Sequence, residues 1–584
     1  MTNRRLLTLW QYLRPNWRTI LIGVLSLLIV NIVGVYIPLV IRDATNELGK
    51  NFNYRDFNQI EHYIIVMIVL ASLMWVIRMI SRIALFGAGR QVEFELKQKI
   101  FEHLLKLEPE YFSINTSGDL MSRSTSDVEN IRRLVGFALL SLVNTFFTYA
   151  LTLPTMVSLN APLSLMILSV YVVMLMTVKV FSGKLGYQQS EVQKNLSSLS
   201  NLIQEDISGI ALIKIYCQEE NERQAFRQKN NDLLEANLKL IQTRNLLFPI
   251  VEGITSISLL ILLWVGGNAI LAGKMSVGDF FALQILIERL VYPTALLGFT
   301  ITAYQTGEVS IDRIEAIFQA KPSIKNSENP IRLNKKEVKG QIKAIGLTYS
   351  YPGSNITALK NLNFEITAGE TVAIVGAIGS GKSTLANAIP RLLNIPNGQL
   401  FIDQKDITNI NLQDLRSCIS YVPQDSFLFS TTIKENIRYG DPLKSTDKVE
   451  QAAKQAQIHQ EILNFPKQYE TLVGERGITL SGGQRQRASL ARAFTFDAPI
   501  MILDDSLASV DNQTASEILN NLTEQKGKTV IFISHQLSAA AIADRIFVMD
   551  KGEIVQIGTH AELINQDGIY QFLWQQNQLE KVLQ

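Results

Sequence analysis

Gly376-Ala-Ile-Gly-Ser-Gly-Lys-Ser-Thr384 decides how the C-terminal half of this chain folds. An apolar run, Thr371-Val-Ala-Ile-Val375, precedes it, and a helix-like run, Leu385 to Leu393, follows it. Strand, glycine loop and helix, with the spacing Gly376-x4-Gly381-Lys382-Ser383, form a P-loop. Gly376, Gly379 and Gly381 let the backbone bend so that its N–H groups, with those of Ser380 and Thr384, turn inward on a phosphate. Lys382 suits the β- and γ-phosphates, the Ser383 hydroxyl suits Mg²⁺, and the new helix adds its positive N-terminus.

Working outward, further apolar runs end in polar groups. Ile500-Met-Ile-Leu-Asp504 has the Walker B form, which places Asp504 on a Mg²⁺ shell at the end of a buried parallel strand. Tyr421-Val-Pro-Gln424 ends another strand, with Gln424 as a candidate Mg²⁺ or water ligand. Val530-Ile-Phe-Ile-Ser-His535 ends in a histidine placed for a γ-phosphate contact. Such strand ends along one edge of a parallel sheet make a nucleotide site. Tyr351, in Tyr349-Ser-Tyr-Pro-Gly353, is on pattern alone either a sheet aromatic or a platform for adenine.

The first half has a different composition. The chain has 584 residues, net charge +2 and 18% charged residues, yet its mean hydropathy is positive at +0.13. So small a net charge gives no electrostatic case for a nucleic-acid partner. The apolar excess lies before about residue 305, in six runs long enough for a bilayer core of about 30 Å. They fall at about 19–41, 60–86, 134–159, 162–182, 246–272 and 277–304. Two long polar connections carry Arg90, Lys97, Arg123 and Arg132, then Lys184, Lys214 and Arg223. The positive-inside bias makes these connections and the Arg-bearing N-terminus cytoplasmic, and six crossings return the P-loop domain to the same side. Met1 to Trp17 lacks the apolar core of a signal peptide and reads as an amphipathic helix on the membrane surface. The expected domains are a transmembrane domain, 1–306, a linker, 307–340, and an α/β nucleotide-binding domain, 341–584. Cys217 and Cys418 stand far apart in no metal-like spacing, which suits a reducing compartment.

Some polar residues fall inside the crossings. Arg78 and Arg82 are expected to snorkel to the cytoplasmic interface. Glu288 and Arg289 lie near mid-depth in the sixth run, where charge is costly and usually faces a cavity, so Glu288 is expected to line a transport pathway. In the long connections, Glu110 to Asp127 and Gly209 to Tyr216 read either as solvated helix or as short helices that dock on a nucleotide domain.

Leu480-Ser-Gly-Gly-Gln484 lies between the P-loop and Walker B. That order resembles the ATP-binding cassette ATPases over nearly all of 340–584, and the six-crossing half in front resembles the ABC exporters over the whole chain. The resemblance implies an ATP-hydrolysing translocase, a half-transporter that exports a small amphipathic compound, drug or lipid-like, by alternating access. In that family two domains pair head to tail, and Leu480, Ser481, Gly482, Gly483 and Gln484 would close the partner's ATP. It further implies that Tyr351 stacks on adenine, that Gln424 is the Q-loop, Ser509 and Asp511 the D-loop, and His535 the switch histidine. Gly474-Glu-Arg-Gly477 fits the exporters' loop before the signature, LWQYLRP the elbow helix and EYF…GDLMSR a coupling helix. ATP and Mg²⁺ are the implied cofactors, and the implied location is a bacterial plasma membrane with both termini cytoplasmic.

One position departs from the family. The residue after the Walker B aspartate is usually Glu, which polarises the attacking water; here it is Asp505. Its carboxylate sits about 1.5 Å further back, and misplacement by about 1 Å can cost on the order of 10²-fold in rate. The chain therefore resembles the MdlA-like or YheI-like subunit of bacterial heterodimeric multidrug exporters, with one degenerate ATP site and a Glu-bearing partner. The alternatives are a homodimeric lipid flippase or exporter and, against the six crossings, a non-transport ABC ATPase.

Overall fold

The computed structural model of the chain describes residues 2–48, 57–354, 356–474, 477–523 and 527–583. They form two compact units, Met1–Lys106 with Phe112–Lys321, and Leu107–Tyr111 with Pro322–Gln584.

In the first unit each apolar run lies within a long helix. A short helix, Thr2–Leu13, leads into six helices long and apolar enough to cross a membrane. The first and second are Trp17–Leu48 and Phe57–Leu104. The third runs over Ser117–Leu159 and carries widened π-type turns at Arg123–Asp127 and Leu134–Ala138. The fourth is Ala161–Ser208. The fifth runs over Glu219–Leu271, with a π-type turn at Leu262–Gly266. The sixth is Val277–Gln319. Tight caps set the short turns. Asn160 accepts the Leu163 N–H before the fourth helix, and Ser276 forms a capping box with Asp279 before the sixth.

The sixth helix passes Gly307, where a linker was expected, and stays helical to Gln319. Gly307, Ser310, Ile311, Ile314 and Ile317 are buried at helical spacing, a stripe that holds the helix in its own unit. A Cβ on Gly307 would come 2.5 Å from Leu134 Cδ1. The expected short helices in the connections are present as Pro109–Ile114, Ser117–Ser122 and Ile210–Ile215.

The second unit is α/β. Strands β1 (Ile342–Ser350), β2 (Thr357–Ile366), β4 (Leu400–Ile402) and β5 (Lys405–Asp406) make an antiparallel sheet in the order β2-β1-β4-β5. The larger sheet has the order β10-β9-β3-β8-β7-β6. Its members are β3 (Thr371–Gly376), β6 (Ile419–Val422), β7 (Ile500–Asp504), β8 (Thr529–Ile533), β9 (Arg545–Asp550) and β10 (Glu553–Gly558). All neighbouring pairs in it are parallel except β9 with β10. Every residue of β7 and β8 is buried, and successive residues enter opposite cores. Met501, Leu503, Val530 and Phe532 pack on one side, and Ile500, Ile502, Ile531 and Ile533 on the other. Covering on both faces explains why these strands read as unbroken apolar runs.

Candidate nucleotide site

The site forms where β3, β6, β7 and β8 end on one edge of the larger sheet. Asp504 stands in register with Ile533, so the Walker B carboxylate and the strand leading to His535 finish side by side. Gly376, Gly379 and Gly381 have φ of +148°, +80° and +100°, which L side chains rarely adopt. A Cβ at Gly376 would meet Met549 O at 2.1 Å and one at Gly381 would meet Ala358 O at 2.6 Å, whereas Gly379 faces open space. The loop is therefore pinned on its inner side and open on the other.

Lys382 is buried, and its Nζ donates to Gly376 O at 2.9 Å and Ala377 O at 2.8 Å. Burial lowers the Lys382 pKa, against the pull of Asp505 and Asp504. Ser380 Oγ is buried with no partner among the described residues. An orphaned hydroxyl, and an ammonium satisfied only by its own loop's carbonyls, suit an incoming phosphate.

Ser383 Oγ donates to Asp504 Oδ1 at 2.9 Å, and Tyr421 OH lies 3.2 Å from Asp504 Oδ2. Burial raises the Asp504 carboxyl above its ordinary range, and the charge of Asp505 pushes the same way. Burial likewise raises the Tyr421 phenol, with Asp504 adding to it. Gln424 Nε2 donates to Asp505 Oδ2 at 3.4 Å, and His535 Nε2 lies 4.0 Å from the same oxygen. Asp505 has φ +48°. Tyr351 OH is 3.2 Å from Thr384 Oγ1, and its ring meets Tyr349 edge-on.

One cavity of about 550 Å³ gathers these groups: Tyr351, Gly379, Gly381, Lys382, Ser383, Thr384, Gln424, Asp505 and His535 all line it. Asp504 is buried behind Ser383 rather than on the wall. Ser383, Asp504 and Gln424 offer the oxygen donors that Mg²⁺ prefers. No group of three or more His, Cys, Asp or Glu among the described residues is placed to hold a metal. A Mg²⁺ here would need phosphate and water for its other ligands.

The signature forms a second site. Ser481 caps the helix Gly482–Phe496 through a capping box with Gln484, whose Nε2 also donates to Glu461 at 2.9 Å. Gly482 and Gly483 open its first turn. A Cβ on Gly483 would come 2.8 Å from Ser509 O, and Gln486 Oε1 accepts the Ser509 N–H at 2.8 Å. Gly482 and Ser509 line a second cavity, of about 700 Å³, and Gln424 borders both cavities. Leu480 is buried below it. Asp511 accepts the Thr514 N–H at 2.9 Å. Glu475 and Arg476, in the loop before the signature, lie outside the described residues.

Two features escaped the sequence reading. Tyr421 was seen only as a strand residue, although its hydroxyl reaches Asp504 and, at 2.9 Å, Asn387 Oδ1. Asn31 was not singled out, yet it is buried in the first crossing, and its Oδ1 accepts from Arg289 Nη2 at 2.9 Å and from Thr148 at 2.8 Å. Glu288 is exposed on the sixth crossing and accepts a 3.4 Å hydrogen bond from Gln284.

Residues 20–294 match the family described as the ABC transporter transmembrane region, and residues 359–508 match the ABC transporter family. The chain is 31% identical over 570 residues to the probable multidrug resistance ABC transporter ATP-binding/permease protein YheI of Bacillus subtilis, covering 97% of each. It is 31% identical to the multidrug resistance-like ATP-binding protein MdlA of Escherichia coli, over 98% of this chain and 96% of that one. To the ATP-dependent lipid A-core flippase of Syntrophus aciditrophicus it is 34% identical, over 83% and 80%. It shares the fold of a bacterial Atm1-family ABC exporter solved with ATP bound, with TM-score 0.80 at 23% identity, over 96% of this chain and 99% of that one.

Proposed function

The chain belongs to the ABC transporter family as an exporter-type half-transporter, a multi-pass membrane protein whose transport is coupled to ATP hydrolysis, and from that premise we propose that it is the catalytically slow half of a heterodimer. It exports a small amphipathic compound, drug-like or lipid-like, across a bacterial plasma membrane with its nucleotide domain in the cytoplasm.

Tyr351 stacks on the adenine. The loop from Gly376 to Thr384 cradles the phosphates, and Lys382 leaves the carbonyls of Gly376 and Ala377 for the β- and γ-phosphates. Ser383, Asp504 and Gln424 would hold Mg²⁺. When bound, Mg²⁺ neutralises charge that develops on the transferred phosphoryl group. Asp505 orients the attacking water, with Gln424 and His535 beside it. Leu480 to Gln484, with Ser509 and Asp511, face the partner's nucleotide, where Gly482 and Gly483 present helix N-terminal N–H groups to phosphate. Closure of the paired domains turns the membrane cavity outward, and hydrolysis resets it. Glu288, exposed on the sixth crossing, lies on the transport pathway. Cysteine placed there should react with a water-soluble thiol reagent, and failure to label in every nucleotide state would remove it from the path.

The observation that carries the heterodimer is Asp505, one methylene shorter than the family's Glu, beside an intact Leu480–Gln484 that can serve a partner. The test is ATPase of the purified chain alone and after co-purification with a Glu-bearing half-transporter from native membrane. Slow turnover alone and fast turnover together support the proposal; fast turnover alone sinks it. The contact of Gln424 with Asp505 favours a second reading, a homodimer in which the shorter carboxylate still turns over.

A further inference from the structure

Within the first unit a second polar cavity, of about 450 Å³, opens between membrane-crossing helices, and its lining is cationic. Arg78 and Arg82 from the second crossing and Arg289 from the sixth all contribute to it, and its lining contains no Asp or Glu. None of the three arginines forms an ion pair among the described residues. Arg78 donates only to the Met74 sulfur, at 3.4 Å. Arg78 and Arg82, the residues expected to snorkel, are exposed and share the lining of this cavity with Arg289.

Arg289 is built in. Its Nη2 donates to Asn31 O at 3.3 Å and Asn31 Oδ1 at 2.9 Å, while its Nε is buried with no partner among the described residues. A Cβ on Gly34 would come 1.7 Å from Arg289 Nη1, so the glycine makes the room in which the guanidinium lies. Arg289 is twelve residues into its helix, which starts at Val277. At 1.5 Å per residue that is about 18 Å, close to the middle of a hydrocarbon core about 30 Å thick. A guanidinium there with an unpartnered Nε is costly unless an anion neutralises it, and the exposed Arg78 and Arg82 bring two more positive charges to the same cavity. The remaining wall is largely apolar and includes Phe86 and Tyr292.

We infer that this cavity binds the anionic head group of an amphipathic substrate, a carboxylate, phosphate or sulfate carried on an apolar tail. This deepens the export reading by naming its substrate class. The charge-assisted hydrogen bonds supply the selectivity, and the apolar wall takes the tail.

The test uses the full-length chain in phosphatidylcholine nanodiscs without nucleotide. Binding is measured for dodecyl phosphate, dodecanol, dodecyltrimethylammonium and inorganic phosphate. Dodecyl phosphate should bind at least about tenfold tighter than the other three, the scale of one charge-assisted contact. Arg289→Gln and the double change Arg78→Gln, Arg82→Gln should each erase most of that preference and leave dodecanol unchanged. Arg289→Lys should retain part of it, and Gly34→Ala, which alters no charge, should weaken it. Equal binding of all head groups, a preference for the cation, or a preference that survives both Gln variants would overturn the inference. Inorganic phosphate binding as well as dodecyl phosphate would overturn the amphipathic class. Because nucleotide is absent, a head-group preference alongside no ATPase in any pairing would remove only the export reading. Partner-stimulated ATPase without the preference would remove only this one.

Discussion

Gln424 Nε2 donates to Asp505 Oδ2 at 3.4 Å, so the loop after β6 and the residue after Walker B already share the space in which a water would be activated. His535 Nε2 stands 4.0 Å from the same oxygen. The short carboxylate is therefore flanked by the expected partners, and what distinguishes this site is reach.

Asp505→Glu should restore that reach. ATPase of the purified chain is expected to rise by about 10- to 100-fold, the scale of a roughly 1 Å correction in position. Asp505→Asn should abolish what turnover remains. An unchanged rate in Asp505→Glu would contradict the argument from reach.

Asp504 gives a pH signature. Its carboxyl is raised above the ordinary 3.8, chiefly by burial. In the window between that value and the raised one, the folded state holds more protons than the unfolded state, so stability falls as pH rises through it. In nucleotide-free, chelator-treated protein, Asp504→Asn should melt above the wild type at pH 7, with the gap closing on acidification. A gap that widens toward acid would contradict the assignment. The same variant should lose ATP hydrolysis.

Gly381→Ala should damage both the fold and the site. The residue has φ +100°, and its new Cβ would come 2.6 Å from Ala358 O. A cost of about 1–3 kcal/mol is expected, read as a lower melting temperature together with loss of ATP binding. Gly379→Ala, with φ +80° but nothing within 4 Å of its Cβ, should be milder in stability.

Ser481→Ala removes the side-chain acceptor at the N-terminus of Gly482–Phe496. A lost cap costs about 1 kcal/mol. If the signature serves a partner, ATPase of the co-purified complex should fall at least about tenfold while nucleotide binding by this chain's own P-loop persists. Equal loss of both would point to a purely structural role.

The P-loop, Walker B and the strand to His535 were legible in sequence because β3, β7 and β8 are covered on both faces. Each is a contiguous apolar run with a polar terminus. The six crossings were legible because a bilayer core calls for about 20 consecutive apolar residues per helix. Their true lengths were less so: in the second helix the apolar window ends at about 86, while the helix continues to Leu104 on an amphipathic pattern. Contacts between distant segments were not legible. Tyr421 carries no local sign that its hydroxyl reaches Asp504, and nothing near Asn31 announces Arg289, 258 positions away. The need for glycine at Gly483 was not legible either, since it arises from the approach of Ser509 O, which leaves no room for a side chain.

The second helix has 48 residues. At 1.5 Å per residue it is a rod about 72 Å long, against a hydrocarbon core of about 30 Å. Its apolar window ends at about residue 86, so the stretch from there to Leu104, about 27 Å at 1.5 Å per residue, projects beyond that window as a rigid arm. A tilt of about 10° at the membrane fulcrum would sweep the far tip through about 5 Å over that length. Run in reverse, a displacement of about 5 Å at the tip corresponds to a tilt of about 10° in the membrane. A rigid helix of this kind would carry a push on its end into the membrane as a change of tilt.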